Sequence, residues 1–364
     1  MNPLIPHILS GISITRWNTF PRLQTYTTLD HLAFVIHICL TLSSLLEEKE
    51  GIKLHKGTLI RRVLFGGFYT FLYSDISSEV KHRLKNNSPE IYRALDKKII
   101  DTLETYNLHS RILEDLHATY QDRDPTMEDH LINFAKAWAS YYETYHNSLV
   151  YADAYSPLLQ TMHARIDTDE HAIFLKYLDL NPLNQTGPEK YLLTIHRLAS
   201  SYRWNRMTRK YPVSVLGHLA LVAFMTYFIG IYENIDNNTL DDMLETALFH
   251  DIPEAITGDI ITPTKKAVPG LEASIEMIEA SMVQEYLIAP ISTFQFASQV
   301  ENKMLHPWQE SNGSLVKLAD IFSALFEADL ERDSSGEFSE IYYKLLRKVS
   351  ANPSPAIEGI LGKM

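Results

Sequence analysis

Ala247-Leu248-Phe249-His250-Asp251-Ile252-Pro253-Glu254-Ala255-Ile256-Thr257-Gly258-Asp259 holds a dense cluster of metal-ligand and proton-transfer chemistry. An apolar segment ends on an imidazole beside a carboxylate, a second carboxylate follows at Glu254, and a Gly-Asp turn leads to Thr262, Pro263 and Lys265. With residues 250 to 254 helical, Glu254 lies one turn from both His250 and Asp251, and the three side chains converge.

Outward from this stretch the helical period continues. Segments 31–49, 90–105, 127–145, 214–232, 239–249, 270–288 and 314–331 place apolar residues three and four apart. Alternating strand patterns are scarce, so the expected fold is all-α. Turn chemistry interrupts the helices at Asn86 to Pro89, Asp122 to Pro125, Glu233 to Asn238 and Val268 to Gly270. The strongest break, Asn181 to Pro188, divides the chain into expected domains 1–185 and 186–364.

A chain of 364 residues is long enough for two ordinary domains with a substantial core, and 45% hydrophobic with 21% charged residues is a soluble globular composition. A net charge of -12 argues against a nucleic-acid polymer as partner, while a small phosphorylated ligand needs only a local cationic spot. Cys39 is the only cysteine, which excludes an intramolecular disulfide and a thiolate zinc cluster and points to a reducing cytoplasm. Met1 to Ile12 lacks the pattern of a signal peptide. Leu32 to Leu46 is too short to span a bilayer and carries His37, so it reads as a buried helix; no membrane association is expected.

The chain also repeats itself. Arg16-Trp17-Asn18 and Arg203-Trp204-Asn205 are identical, and each Trp is followed fourteen residues later by His-Leu-Ala, at His31 and at His218, with 187 residues between the copies. Phe71 to Ile76 parallels Ala247 to Ile252 at a spacing of 176, and Tyr151 to Ser156 parallels Leu318 to Ser323 at 167. The pattern is that of a tandem duplication of one helical domain, packed as a pseudo-dimer.

The second copy offers His218, His250, Asp251 and Asp320, each on or at the end of an expected helix. Two neutral imidazoles and two carboxylates balance a divalent ion and leave positions open for water or substrate. The set suits Mn, Co, Fe, Ni or Zn better than calcium. Asp320 is flanked by Leu318, Ala319, Ile321 and Phe322, and a charge in that setting requires a partner.

His, His-Asp and a distant Asp form the pattern of the HD-domain phosphohydrolase superfamily. Arg-Trp ahead of the first His, His-Asp-x-x-Glu, Gly-Asp-x-x-Thr-Pro, Lys-x-Ala-Asp and Gly336-Glu337-Phe338 resemble its YfbR-like 5'-deoxynucleotidase branch. The resemblance covers residues 199 to about 345 well and 12 to about 180 in weakened form. It implies an all-helical enzyme with one divalent metal that hydrolyses deoxyribonucleoside 5'-monophosphates. Carried over by position, His218, His250, Asp251 and Asp320 match the ligands, Glu254 the acid that acts on water and Asp259 a second acid nearby. Arg203 and Trp204 match phosphate and sugar contacts. Other branches place additional histidines between the His-Asp pair and the last Asp, where this chain has only His306, so one metal is expected.

Independently of that resemblance, a carboxylate such as Glu254, close to but not consumed by the ion, can orient water or accept its proton. Arg203, Lys265 or Lys317 can supply the positive charge that phosphoryl transfer needs. Trp204 fits a packed aromatic as well as a substrate contact, and exposed lysines are the default for Lys265 and Lys317.

By these alignments the first copy keeps His31, Asp75 and Asp153, while Ser74 stands for His250, Ser78 for Glu254, and Glu79 lies one residue along. That half is expected to be catalytically degenerate. It then serves either as a built-in second subunit or, through Arg16, Trp17 and His31, as a regulatory nucleotide site. The expected activity is phosphate removal from deoxynucleoside 5'-monophosphates, by a monomer with an internal pseudo-dimer or by a homo-oligomer. The alternatives are a nucleoside triphosphate hydrolase or phosphodiesterase and, in a different class, a nucleotide-binding regulator without turnover.

Overall fold

The computed structural model describes residues 1–121, 123–181, 185–309, 312–351 and 353–362. In the N-terminal half the helices that matter here are α1 (Thr28–Glu50), α2 (Lys56–Gly66), α3 (Met127–Ser148) and α4 (Ala152–Ile166). In the C-terminal half they are α5 (Val215–Tyr232), α6 (Asn237–Phe249), α7 (Gly313–Glu331) and α8 (Gly336–Ser350). The expected all-α class holds. Among the described residues the only extended pairings are two isolated antiparallel bridges, Thr15 with Thr27 and Tyr202 with Ser214.

Local chemistry sets the helix ends. α1 opens on a capping box in which the Thr27 side chain accepts from the Asp30 amide and the Asp30 carboxylate accepts from the Thr27 amide; it stops at Gly51, whose φ of 68° is left-handed. Ser214 caps α5 through the Gly217 amide, and Asp236 caps α6 through the amides of Asn238 and Thr239.

α1 and α5 are apolar around their whole circumference and pack on each other at the centre. Both are long and apolar enough to cross a membrane by composition, yet each is 94% buried in the protein, as expected of core helices. α3 and α2 cover α1, and α7 and α6 cover α5.

The expected boundary at 181–188 is described only in part, since residues 182–184 lie outside the described residues. Beyond it, Thr186 and Glu189 form the capping box of helix Gly187–His196. The halves on either side share one core. The Ser214 hydroxyl donates to the Asp30 carboxylate, Arg61 pairs with Asp241, and Lys56 lies 3.8 Å from Glu245.

Each half builds the same corner from its Arg-Trp-Asn loop. The Arg16 amide donates to Tyr26 at 2.8 Å and the Arg203 amide to Val213 at 3.0 Å; Thr28 donates to Ile14 at 2.9 Å and Val215 to Ser201 at 2.8 Å. Trp17 and Trp204 both hold the left-handed backbone region, at φ 54° and 59°, which an aromatic residue occupies only when its surroundings enforce it. The Trp17 indole donates to Glu143 at 2.7 Å and that of Trp204 to Glu327 at 3.0 Å. The Leu23 amide donates to Asn147 and the Lys210 amide to Glu331, both at 2.9 Å.

These bonds set α3 opposite α7, with Glu143 answering Glu327 at a spacing of 184 residues. The same spacing puts Lys136 opposite Asp320. It also aligns Leu64-Phe65 at the end of α2 with Leu248-Phe249 at the end of α6, which leaves Gly66 and Gly67 opposite His250 and Asp251.

The sequence pairing of Asp75 with Asp251 and of Asp153 with Asp320 is therefore corrected. Asp75 is exposed in the turn after the short helix Phe68–Leu72, and Asp153 is exposed at the start of α4, which answers α8. Short local identities had set the expected register, whereas the packing of whole helices sets the real one. Ser74 is likewise exposed, and the side chain of Ser78 lies outside the described residues. Of the four positions expected to hold a metal, only that of His218 keeps its residue type among the described residues of the N-terminal half, as His31.

Candidate active site

Three helices of the C-terminal half deliver the chemistry to one place. α5 brings His218 from its first turn; α6 ends where His250 and Asp251 begin; α7 carries Asp320, Ser323 and Glu327 along one face. His250 Nε2 lies 3.3 Å from the Asp251 carboxylate, and His218 Nε2 lies 3.6 Å from Asp251 and 3.2 Å from Asp320. One ligand atom each from His218, His250 and Asp251 fall within 4.8 Å of one another. Asp320 stands beside this trio through its contact with His218.

The other ring nitrogen of each histidine is committed. His250 Nδ1 lies 2.8 Å from the Ala247 carbonyl, and His218 Nδ1 is 3.0 Å from the Ser323 hydroxyl and 3.1 Å from Glu327. Both rings are thereby oriented with Nε2 inward, where neither Nε2 atom has a hydrogen-bond partner despite being buried. Two orphaned, converging imidazole nitrogens beside ionised carboxylates are a donor set for a divalent cation.

Electrostatics favour positive charge at this point. Burial alone would lower the His250 pKa, but Asp251 and Asp320 outweigh it and raise it to about 9. Burial works against the ionised form of Asp251, yet His250, His218 and Arg203 hold it well below the usual carboxylate range.

Glu254 opens the short helix Glu254–Thr257, and its buried Oε2 has no hydrogen-bond partner. Burial and the neighbouring Asp251 push its pKa up to about 9, the environment of a carboxyl poised to hold a proton. Asp259, just past Gly258 with its φ of 73°, is close enough to add to that shift.

Arg203 spans the site. Its guanidinium lies 3.4 Å from Asp251 and 3.3 Å from Glu327, and those carboxylates, with Asp320 and Glu254, hold it firmly charged. Trp204 spends its indole N–H on Glu327 and packs edge-on against Phe338 at 5.9 Å. The two lysines lie further out. Lys265 is half-buried near Glu279, and Lys317 is exposed with its ammonium 5.6 Å from the Trp308 ring centre. His306 is exposed and lies outside the cluster.

Two functional positions went unread in the sequence. Glu327 is fully buried and ties together His218, Arg203, Trp204 and Arg209, whose guanidinium lies 3.3 Å away. Its signal was present, since Asp320, Ser323 and Glu327 recur at helical spacing within the mostly apolar run Leu318 to Ala328. Burial works against its ionised form, but Arg203 and His218 lower its pKa to about 2. Trp308, 5.4 Å from the His250 ring, borders the site on a loop with no periodic pattern to mark it.

Residues 190–364 match the family described as 5'-deoxynucleotidase YfbR-like. A 5'-deoxynucleotidase of Shewanella oneidensis is 28% identical over 168 residues, 44% of this chain and 85% of that protein. A 5'-deoxynucleotidase of Photobacterium profundum is 26% identical over 166 residues, 44% of this chain and 84% of that protein. One of Yersinia pestis is 28% identical over 172 residues, 45% and 85% of the respective chains. All these matches fall well short of the full chain. The helices that converge on His218, His250, Asp251 and Asp320 lie inside the matched segment, so it is through residues 190–364 that the chain is similar to the YfbR-like 5'-deoxynucleotidases.

Proposed function

We propose that the C-terminal half removes phosphate from deoxyribonucleoside 5'-monophosphates with one divalent transition metal held by His218, His250, Asp251 and Asp320. The observation that carries this reading is the pair of orphaned Nε2 atoms beside Asp251, framed by Arg203 on one side and Glu254 on the other. When bound, the cation supplies a Lewis acid and lowers the pKa of water.

The chain's own residues do the rest. Glu327 and the Ala247 carbonyl keep the imidazoles in the tautomer and orientation that aim Nε2 inward. Arg203 brings a fixed positive charge to the phosphoryl group, and its two carboxylate partners hold it in place. In its ionised form Glu254 takes up the proton of the attacking water, with Asp251 and Asp259 raising its basicity. Trp204, anchored by its N–H, offers a ring face at the edge of the site, and Lys265 and Lys317 add outer positive charge.

The whole chain is proposed to be a tandem duplication in domains 1–185 and 186–364 that packs as an internal pseudo-dimer, with activity confined to the second copy and residence in the cytoplasm. The bridges, the left-handed Trp residues and the paired glutamates support this. Phosphate release from deoxy- and ribonucleoside mono-, tri- and cyclic phosphates, measured with Mn or Co, tests the reaction. Preferred release of inorganic phosphate from deoxynucleoside 5'-monophosphates is expected. Pyrophosphate or triphosphate as product would replace it with a triphosphohydrolase, and absence of turnover with retained nucleotide binding would replace it with a regulator.

A further inference from the structure

The N-terminal half keeps the frame of the site and changes its charge. Arg16 lies 3.1 Å from Glu143 and donates to the Ser140 hydroxyl at 2.9 Å, the Trp17 indole donates to Glu143, and His31 Nδ1 is 3.4 Å from the same carboxylate. At the ligand positions, however, stand Gly66, Gly67 and Lys136. A Cβ placed on Gly66 would meet the Lys136 ammonium at 3.5 Å, so the lysine reaches into the space where the other half holds the His250 side chain. Two carboxylates and an imidazole have been exchanged for a tethered cation and the room to house it.

That cation has no close ion pair. Among the described residues no carboxylate lies within 4 Å of the Lys136 ammonium, although the side chain is only half-exposed. A second ammonium, that of Lys81, sits 3.3 Å over the Tyr69 ring centre and is near enough to Lys136 to repel it. Burial and this repulsion bring the Lys81 pKa down to about 7, and burial lowers that of Lys136 as well. Their nearest acidic influences are Asp96 on Lys81 and Asp129 on Lys136, the latter already paired with Arg62 and Arg123, so the withdrawn charges remain costly and a bound anion lowers the cost.

We propose that the N-terminal chamber is a metal-independent binding site for a phosphate monoester, with the Lys136 ammonium standing where the C-terminal half presents its metal-ligand set, and with Lys81 and Arg16 as further cationic groups. The choice of a phosphate monoester rests on the phosphatase reading of the C-terminal half; the preference for an anion over a metal does not. The chamber lacks both the ligands for a cation and an acid in the place of Glu254, where Thr70 stands at the same spacing, so it binds without hydrolysing.

The test is equilibrium binding of labelled inorganic phosphate and of dAMP to the full chain in excess chelator. Wild type and His250→Ala are each expected to retain one chelator-resistant site. Lys136→Met should weaken it by about tenfold or more while leaving metal-supported hydrolysis in the C-terminal half intact, which reports correct folding. Lys136→Arg should restore most of the affinity, and Lys81→Met supplies a second reading if Lys136→Met does not fold. No chelator-resistant binding, or wild-type affinity in both lysine-to-methionine variants, overturns the proposal. Loss of all hydrolysis with chelator-resistant binding retained would overturn the phosphatase reading alone.

Discussion

The corners around Glu143 and Glu327 share a scaffold and differ in their contents. Both receive a tryptophan indole, an arginine and a histidine from equivalent positions, and both sit on a helix packed against a core helix. Around Glu327 the ring of groups encloses two inward imidazoles and two carboxylates; around Glu143 the corresponding positions are two glycines and a lysine. The scaffold thus recurs with different contents, because the Arg-Trp-Glu arrangement pairs its own charges in either half. It is a folding device that in the C-terminal half also orients His218 and Arg203.

The largest effect that sharpens this contrast is expected from His250→Ala. Phosphate release should fall by about 10³-fold or more, with loss of metal measured on the purified protein. A fall with metal content unchanged would break the ligand assignment. Glu254→Gln should lower kcat by roughly 10²- to 10⁴-fold while metal is retained, separating the acid from the ligands.

The paired glutamates allow the most direct comparison. Glu327→Gln should lower metal affinity or activity by about 10- to 100-fold, since it loosens His218 and Arg203. Glu143→Gln should leave activity within about twofold yet cost about 3 kcal/mol of stability through its buried partners Arg16 and His31, as read by denaturant unfolding. Equal loss of activity in both variants would mean that the N-terminal corner takes part in the reaction.

Acid should destabilise the core shared by the two halves. Burial lowers the pKa of His31 and His196 to about 4 and of His37 to about 3, from an ordinary value of 6.5. The unfolded chain therefore binds more protons below pH 6.5, and stability falls as pH drops from there towards 3. Asp30, pushed up to about 6 by burial, and Glu254, pushed up to about 9, act in the opposite sense but are outnumbered by the three histidines. Glu327, held near 2, adds a further loss below about pH 4.5. Urea midpoints measured from pH 7 to 4 should decline steadily, and a flat profile would contradict the buried neutral histidines. Smallest of all, Lys265→Ala or Lys317→Ala should raise KM by no more than about fivefold, as suits outlying charges.

Much of this molecule was legible in its residues. Helical period determined the all-α class and located the helices, because an apolar face three to four residues apart can be buried in no other way. The identical Arg-Trp-Asn loops and the His, His-Asp and Asp set selected the C-terminal half, because neutral imidazoles beside carboxylates have few other uses. Tertiary structure alone decided the register between the halves. Asp75 and Asp153 matched by local identity, but the glutamates on α3 and α7, which gather partners some 120 residues away in the chain, showed that Gly66, Gly67 and Lys136 hold the ligand positions. A short motif records which chemistry is present nearby along the chain. Which side chains meet depends on how whole helices pack, and that is what brought His218, His250 and Asp251 together in one half and set Lys136 beside Gly66 in the other.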